Sequence, residues 1–370
     1  MAFSREVLDR PESLPLLSGE DKMDEPASKQ PHKRRLRYTG THPHTFAEKY
    51  KELDPERYKE DVEHVIARGD TPAGTHRPIC LKEVLDILDP RTGEIAVDAT
   101  LGYGGHAREI LEKILPGGRL YGLDVDPVEL PKTESRLRAE GFGPEVFVAV
   151  HSNFAALPKI LSTIGLPGVD MILADLGISS MQIDNPERGF TFKYEGPLDM
   201  RMNPEQGESV ARLLRRLSEA KITALLKDNA DEPDAGSIAH TIVQKRQEMT
   251  TTRALTQAVK TALSGLKRSD EETTKAVRRT YQALRIAVNG EFSALETLLA
   301  DLPYCLNPGG RVVILTFHSG EDKRVVRAFE EGKAAGVYSR IQDAEIRASA
   351  EERYDNPRSK SVRLRWAVRA

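Results

Sequence analysis

The stretch Asp98-Ala-Thr-Leu-Gly-Tyr-Gly-Gly-His106 decides the fold that we predict for this chain. It follows the apolar run Glu94-Ile-Ala-Val-Asp98, which predicts a short buried strand, and it precedes a helix predicted over residues 107–115. Glycines allow a backbone to approach a ligand closely, and the N-terminus of the next helix offers free N–H groups. The pattern Gly102-x-Gly104-Gly105-x-Ala107 therefore indicates a nucleotide-type cofactor, although alone it is a weak signal.

Strands and helices alternate on the C-terminal side of this turn. Apolar, β-branched runs of strand length are separated by segments with helical periodicity, which is typical of a doubly wound parallel α/β sheet. A terminal pair of strands at one sheet edge would complete it. The further predicted strands are residues 119–124, 145–150, 169–175, 309–317 and 361–369, and the helices between the first of them are residues 128–139 and 154–164.

The alternation stops between about Glu208 and Phe292, where apolar residues recur only at helical spacing. We therefore predict a Rossmann-like α/β domain made of residues 75–205 and 286–370. An all-helical insertion domain of residues 206–285 interrupts it.

The N-terminal part of the chain has a different composition. Residues 1–40 are polar and charged without sustained periodicity, so we predict a disordered extension. Residues 41–74 predict short helices that pack loosely on the main body. The basic run His32-Lys-Arg-Arg-Leu-Arg37 is either a phosphate contact or a solvated charge cluster.

Composition limits the classes of function. Hydrophobic residues are 39% and charged residues 30% of the chain, and no apolar run approaches the roughly 18 residues that a membrane span needs. We expect a cytoplasmic protein with no membrane partner. The net charge of -3 gives no global basic field. Cys80 and Cys305 lack CxxC spacing, so we interpret both as core residues and expect no metal.

Three acidic residues follow strands and favour one cofactor. An anionic pyrophosphate would disfavour Asp98 beside the turn, whereas a sulfonium that carries an α-amino group would favour it. Asp124 ends the next predicted strand, nineteen residues after Gly105, where an acid typically binds ribose hydroxyls. Asp175 ends the fourth predicted strand and opens a polar cluster that includes Ser179. Together they predict S-adenosylmethionine rather than NAD.

Several longer blocks are more specific than the glycine pattern. They are His76-Arg-Pro-Ile, Val97 to His106, Asp175 to Asp184, Glu187-Arg-Gly-Phe-Thr-Phe192, Gly196-Pro-Leu-Asp-Met-Arg-Met202, Tyr281 to Asn289 and Thr316-Phe-His-Ser-Gly-Glu-Asp322. From about Thr75 onward the chain resembles the bacterial 16S rRNA cytosine-N4 methyltransferases. The resemblance implies methylation of the exocyclic N4 of a cytosine in the decoding centre, with 16S rRNA of the small ribosomal subunit as partner. The first 75 or so residues exceed the usual start of that family.

The resemblance also implies cofactor contacts. Carried over by motif, these are Gly104, Gly105, His106, Asp124, Phe154, Asp175 and Gln182, to which the turn itself adds Asp98 and Gly102.

Three residues are candidate catalytic groups. Asp175, with Ser179 and the carbonyls of the same loop, is placed to accept hydrogen bonds from the acceptor amine. His318 follows the strand predicted over residues 309–317, at the strand end where doubly wound sheets bind ligands. A hydrogen bond that orders the loop is the alternative role for His318.

Five residues are candidate substrate contacts. Because Leu176-Gly177-Ile178 stands where many amino-methyltransferases carry Pro-Pro-aromatic, a stacking residue must come from elsewhere. Phe190 and Phe192 are candidates, and ordinary core aromatics are the alternative. Asp199 and Arg201 order their loop or contact RNA. Arg363 lies in a basic cluster with Arg358, Lys360 and Arg365.

The alternation of residues 361–369 predicts that the arginines of this cluster share one exposed face. A second basic group, in the predicted insertion, is either an RNA contact or ordinary helix surface: Arg212, Arg215, Arg216, Lys221, Lys227, Lys267, Arg268, Arg278 and Arg279.

Other functions stay open from the residues alone. They are a methyltransferase with another nucleic acid or a small molecule as substrate, an NAD-binding oxidoreductase, and a non-catalytic ribosome-assembly factor. The sequence does not decide the oligomeric state, for which a homodimer is one candidate.

Overall fold

The computed structural model describes residues 78–370. The predicted disordered extension of residues 1–40 and the predicted helical extension of residues 41–74 lie outside the described residues.

The centre of the fold is a seven-stranded sheet in the order β3-β2-β1-β4-β5-β7-β6. Strands β1 to β5 are parallel, and β7 runs antiparallel to both β5 and β6. The strands are β1 (Ile95–Asp98), β2 (Arg119–Asp124), β3 (Phe147–His151), β4 (Val169–Asp175), β5 (Leu306–Thr316), β6 (Tyr338–Ile341) and β7 (Arg363–Arg369). The predicted parallel α/β sheet is confirmed, with the antiparallel pair β6–β7 completing one edge.

Helices cover both faces of this sheet because the central strands are apolar on both sides. Two buried clusters, one on each face, contain side chains that are 0% exposed, such as Ile172 on one face and Leu173 on the other. The covering helices are α1 (Leu81–Leu88), α2 (Gly105–Ile114), α3 (Leu130–Ala139), α4 (Leu157–Thr163), α11 (Glu291–Cys305) and α12 (Ser319–Ala334), with short α5 (Ser180–Asp184) and α13 (Ala350–Asp355) near the cleft.

The middle of the chain forms a helical body with its own buried core. Its helices are α6 (Val210–Arg216), α7 (Glu219–Ala230), α8 (Ala235–Gln244), α9 (Thr252–Leu263) and α10 (Asp270–Asn289). The core also includes Phe190, Leu198 and Met200, which precede these helices, and α10 continues unbroken through residue 285. The domain bounds that the sequence suggests, 206–285, stay a prediction.

The C-terminal strand differs from the prediction of an exposed arginine face. Strand β7 lies inside the sheet, and Arg365 is 9% exposed. Its Nε donates to Asp322 Oδ1 at 2.8 Å, and Arg363 Nε lies 2.9 Å from Glu345 Oε2. The predicted exposed face is wrong because carboxylates of neighbouring segments cover and neutralise these arginines. The edge strand β6, which shields β7, was not predicted.

Two further predictions concern the cysteines and membrane-spanning segments. Cys80 and Cys305 are both buried, as expected of core residues. Within residues 78–370, no helix combines the length and the apolar character needed to cross a bilayer.

Candidate active site

The turn after β1 is shaped by two glycines in close contact with their neighbours. Gly104 has φ 79°, a left-handed conformation, and caps the N-terminus of α2. A Cβ on Gly105 would lie 2.6 Å from Cγ of Pro78, far inside contact distance. A side chain at Gly105 would therefore displace the chain that packs over the turn, and the free N–H groups of α2 would shift with it.

Asp124 joins the end of β2 to this turn. Its Oδ2 accepts a hydrogen bond from the Gly102 N–H at 2.8 Å, and its Oδ1 accepts one from the Asp126 N–H at 2.9 Å. Burial raises the pKa of Asp124 above its usual range. The carboxylate is thus held in one orientation beside the turn.

Asp98 lies beneath the turn rather than in it. The side chain is 2% exposed, and Oδ1 accepts a hydrogen bond from the Thr100 N–H at 3.1 Å. Burial raises its pKa to about 7. Asp98 therefore orders the turn from below.

Asp175, at the end of β4, carries an acceptor atom without a partner. Its backbone N–H donates to Thr100 Oγ1 at 2.6 Å, whereas Oδ1 is buried and has no hydrogen-bond partner among the described residues. Burial, and then the charges of Asp98 and Glu321, raise the pKa of Asp175 to about 8. An unpaired buried acceptor is costly, so this oxygen points to a donor that a ligand brings.

His106 adjoins Asp175 in neutral form. Burial lowers the pKa of His106 to about 4, and its Nε2 lies 3.0 Å from the Ile79 carbonyl oxygen. Because that oxygen only accepts, Nε2 carries the proton. The bare Nδ1 faces Asp175 Oδ2 at 3.9 Å, which is too long for a hydrogen bond.

These elements surround a cavity of about 530 Å³ at the carboxyl ends of β1, β2, β4 and β5. This is the place where doubly wound sheets bind ligands. The sequence-predicted residues that line it are Gly102, Gly104, Gly105, His106, Asp124, Phe154, Asp175, Ser179 and Gln182. The predicted residues that do not line it are Asp98, Phe190, Phe192, Asp199, Arg201, His318 and Arg363.

The two predicted stacking residues belong to the helical core. Phe190 is 7% exposed, and Phe192 packs edge-on against Tyr281 with ring centroids 5.6 Å apart. Both side chains therefore occupy the alternative role of core aromatics in this structure.

His318 and Asp199 order their own loops. His318 Nδ1 accepts a hydrogen bond from the Glu321 N–H at 3.3 Å and caps α12. The Asp199 carboxylate accepts hydrogen bonds from Arg201 Nε at 2.8 Å and from Arg201 Nη2 at 2.7 Å. Both residues make the hydrogen bonds that the loop-ordering alternative requires, and their predicted roles toward a substrate stay predictions.

Ser179 and Gln182 form a capping box at the start of α5. Gln182 Nε2 also donates to Asp126 Oδ2 at 2.8 Å, and that same oxygen accepts from Arg188 Nη1 at 2.8 Å. Arg188 Nη2 continues to the Met202 carbonyl oxygen at 2.8 Å. This network, which links the cavity wall to the helical body, was not predicted, although Arg188 lies in one of the quoted blocks.

The wall of the cavity opposite the turn was also missed. We call it the acceptor wall, and it comprises Arg285, Glu291, Phe317 and Glu321. The signal was available, because Arg285 lies within residues 281–289 and the last two within residues 316–322, both quoted as blocks. Nothing in local spacing shows that these segments meet.

The hydrogen-bond acceptors of the cavity fit S-adenosylmethionine, which carries a sulfonium, an ammonium and ribose hydroxyls. Two buried carboxylate oxygens lack partners among the described residues, Oδ1 of Asp175 and Oε2 of Glu129. Both residues line the cavity, and Glu129 is 4% exposed. Acidic acceptors of this kind suit a cationic ligand rich in donors.

Two solved structures that match this chain are distant in sequence. TrmN from Thermus thermophilus matches with 14% identity and a TM-score of 0.38, over 78% of this chain and 48% of that chain. A putative rRNA methylase from Clostridium thermocellum matches with 12% identity and a TM-score of 0.37, over 78% of this chain and 97% of that chain.

Comparison with curated proteins gives much closer relatives. A protein of Lachnoclostridium phytofermentans named ribosomal RNA small subunit methyltransferase H 1 is 47% identical over 92% of this chain and 93% of its own length. The protein of the same name from Agathobacter rectalis is 48% identical over 92% of this chain and 98% of its own. The model of the MraW methylase family matches residues 73–370. This chain belongs to the MraW methylase family.

Proposed function

We propose that this protein uses S-adenosylmethionine to methylate the exocyclic N4 of a cytosine in the rRNA of the small ribosomal subunit. Family membership and the names of relatives 46–48% identical support the reaction class and the RNA. The structural observation that carries the proposal is Oδ1 of Asp175, a buried acceptor without a partner at the end of β4.

Residues on the β1 and β2 side of the cavity are proposed to hold the cofactor. When bound, S-adenosylmethionine supplies an electrophilic methyl group. Asp124 is oriented toward ribose hydroxyls by its bonds to the turn. Gly104 and Gly105 bring the free N–H groups of α2 near the ligand, and Phe154 offers an apolar face on the same side. The remaining proposed contacts are Gly102, His106, Asp175 and Gln182, with Asp98 acting from beneath the turn.

Asp175 is the proposed partner of the acceptor amine. The exocyclic amine of cytosine is a weak nucleophile because its lone pair is delocalised into the ring, and it loses one proton on methylation. The Asp175 carboxylate can accept a hydrogen bond from this amine and hold it in place, and placement alone contributes roughly 7–11 kcal/mol in ideal geometry. A pKa near 8 leaves both protonation states populated near neutral pH, which suits a group that takes up a proton.

Phe317 is the proposed stacking residue in place of Phe190 and Phe192. It lines the cavity, and a Cβ on Gly177 would lie 3.9 Å from its Cδ2. Its ring thus faces the loop that lacks the Pro-Pro-aromatic motif. Stacking on an aromatic ring contributes about 1–3 kcal/mol per base, and a base in structured RNA must leave its stack to reach this cavity.

Mass spectrometry of small-subunit rRNA tests the proposed reaction. Cells without the gene should lack one N4-methylated cytosine that returns when the gene is restored, and not when the restored gene carries Asp175→Ala. An unchanged methylation pattern would contradict the substrate. Calorimetric titration with S-adenosylmethionine and NAD tests the cofactor, and saturable binding of NAD alone would exclude our assignment.

The finer partner assignments are proposals as well. We propose 16S rRNA within the small ribosomal subunit as the substrate and a cytoplasmic location, and a homodimer is one candidate for the oligomeric state. Sedimentation of the purified protein decides the last, since a monomer at micromolar concentration would contradict it.

A further inference from the structure

Arg285 is a largely buried cation on the acceptor wall. It lies on α10, its side chain is 13% exposed, and it lines the cavity together with Phe317 and Glu321. A buried arginine requires several acceptors to satisfy its five N–H groups. The partners that it has, and those that it lacks, indicate its role.

Only one edge of the guanidinium is occupied. Nε donates to Oε1 of Glu291 and Nη2 donates to Oε2, each at 2.8 Å. Nη1 donates no hydrogen bond to any of the described residues and is not fully enclosed by protein. Because Arg285 lines the cavity, these two N–H groups are available to a ligand there.

Arg311 shows how a purely structural pair of the same kind is completed. Its guanidinium contacts both oxygens of Glu94 at 2.8 Å, with similar exposure of 15% and 18% for the two side chains. Backbone carbonyl oxygens of Leu88, Asp89 and Asp170 accept from its Nε, Nη2 and Nη1. Every nitrogen of Arg311 is satisfied, whereas Arg285 keeps one for a ligand.

The charges around Arg285 select the class of that ligand. Glu291 neutralises the guanidinium, and Glu321 is 3% exposed and close enough to affect the pKa of Asp175 in the same cavity. A phosphate placed here would face the carboxylates of Glu291 and Glu321, which disfavours it. A neutral group with acceptor atoms meets no such repulsion.

We infer that Arg285 Nη1 donates to the ring acceptors of the flipped base and, with Asp175, makes the cavity selective for cytosine over uracil. This inference rests on the proposed function. Cytosine presents the acceptors O2 and N3 and the donor N4–H, which match an arginine donor and a carboxylate acceptor that line the same cavity. Uracil keeps O2 as an acceptor but presents N3–H and O4 in place of N3 and N4–H, so the contacts to these two positions are inverted. Enzymes that flip bases recognise this edge of the base.

The test compares binding of two small-subunit particles by Arg285→Lys and wild-type protein. The first particle comes from cells without the gene, and the second carries uridine at the cytosine that mass spectrometry identifies. For the wild-type protein we expect tighter binding of the cytosine particle. In Arg285→Lys the ratio of the two dissociation constants should fall roughly 10-fold, as expected for a lost bidentate base contact. The affinity for S-adenosylmethionine should stay within twofold.

Two variants separate recognition from folding. Arg311→Lys removes one guanidinium from the matched structural pair at the opposite strand ends, so it should lower the melting temperature and keep the cytosine preference. Arg285→Gln combined with Glu291→Gln leaves no buried unpaired charge, and it should lose the preference even if Arg285→Lys folds poorly.

The outcomes are distinct. If the Arg285 variants keep the preference and differ from wild type only in melting temperature, as Arg311→Lys does, Arg285 merely joins α10 to α11 and the inference is wrong. If they weaken binding of both particles equally, Arg285 contacts phosphate and the inference is again wrong. A wild-type protein that methylates no cytosine contradicts the proposed function, and the inference with it.

Discussion

The two sides of the cavity are built by different means. On the cofactor side, the turn from Asp98 to His106 is continuous in sequence and presents mainly backbone atoms, held by Asp124. The acceptor wall brings together side chains from α10, α11, α12 and the β5–α12 connection, and the ion pair between Arg285 and Glu291 orients two of them. The first side should therefore depend on backbone shape, and the second on the identity of individual side chains.

Asp175→Ala tests the residue where the two sides meet, and it should have the largest effect. Loss of the acceptor carboxylate should lower single-turnover methyl transfer by about 10²–10⁴-fold, as expected for removal of a positioned acid–base group. The measurement uses saturating S-adenosylmethionine and small-subunit particles, with circular dichroism as the control for folding. Turnover close to wild type would remove Asp175 from the mechanism.

Gly105→Ala tests whether backbone shape governs the cofactor side. Its Cβ would lie 2.6 Å from Pro78, and relief of such overpacking costs about 1–3 kcal/mol, so affinity for S-adenosylmethionine should fall about 10-fold or more. Gly236→Ala is the matched control, because a Cβ there meets nothing within 4 Å and the residue is helical. The control should bind normally, and normal binding by Gly105→Ala would contradict the account of this side.

Phe317→Leu tests the dependence of the acceptor wall on side-chain identity. Leucine keeps apolar contact but removes the stacking surface, so the KM for small-subunit particles should rise about fivefold. The dissociation constant for S-adenosylmethionine should not change. A variant that loses both affinities equally would show that the two sides are not separable here.

The pH dependence of stability should give the smallest effect. Because burial raises the pKa of Asp175 to about 8 in the folded protein, this carboxyl favours folding at low pH, and the contribution is lost as pH rises through 8. Between pH 5.5 and 8.5, the melting temperature of the ligand-free Asp175→Asn variant should therefore fall less than that of the wild-type protein. The side chain is 29% exposed, so we expect a change of only about 1–2 °C by thermal scanning. Parallel curves for both proteins would argue that Asp175 is ionised throughout.

The cofactor side could be predicted from sequence because its determinants are local. A strand, a glycine turn and acids at strand ends occur in order along the chain, and the parallel sheet then brings Asp98, Asp124 and Asp175 to one edge. Nine of the predicted residues do line the cavity. Alternation along residues 361–369 misled the prediction, because the period of a strand does not reveal whether carboxylates such as Asp322 cover its polar face.

The acceptor wall could not be predicted because its residues meet only through tertiary packing. Phe192 and Phe317 are both aromatics within quoted blocks, and only the fold shows that one enters the helical core and the other the cavity.

The comparisons also change the interpretation of the N-terminal extension, which the sequence placed before the usual start of the family. The family model starts at residue 73, yet relatives align over 92% of this chain, so part of the preceding segment is shared with them.

Helix α10 connects the helical body to the cavity. It is 20 residues long, about 30 Å, and runs from the capped Asp270 end in the helical body to Asn289 at the cavity, carrying Arg285 on its last turns. Residues that pack in the core of the helical body, such as Val277, and Arg285 at the cavity therefore belong to one continuous hydrogen-bonded element. The helical body and the cavity are thus joined by backbone as well as by side-chain contacts.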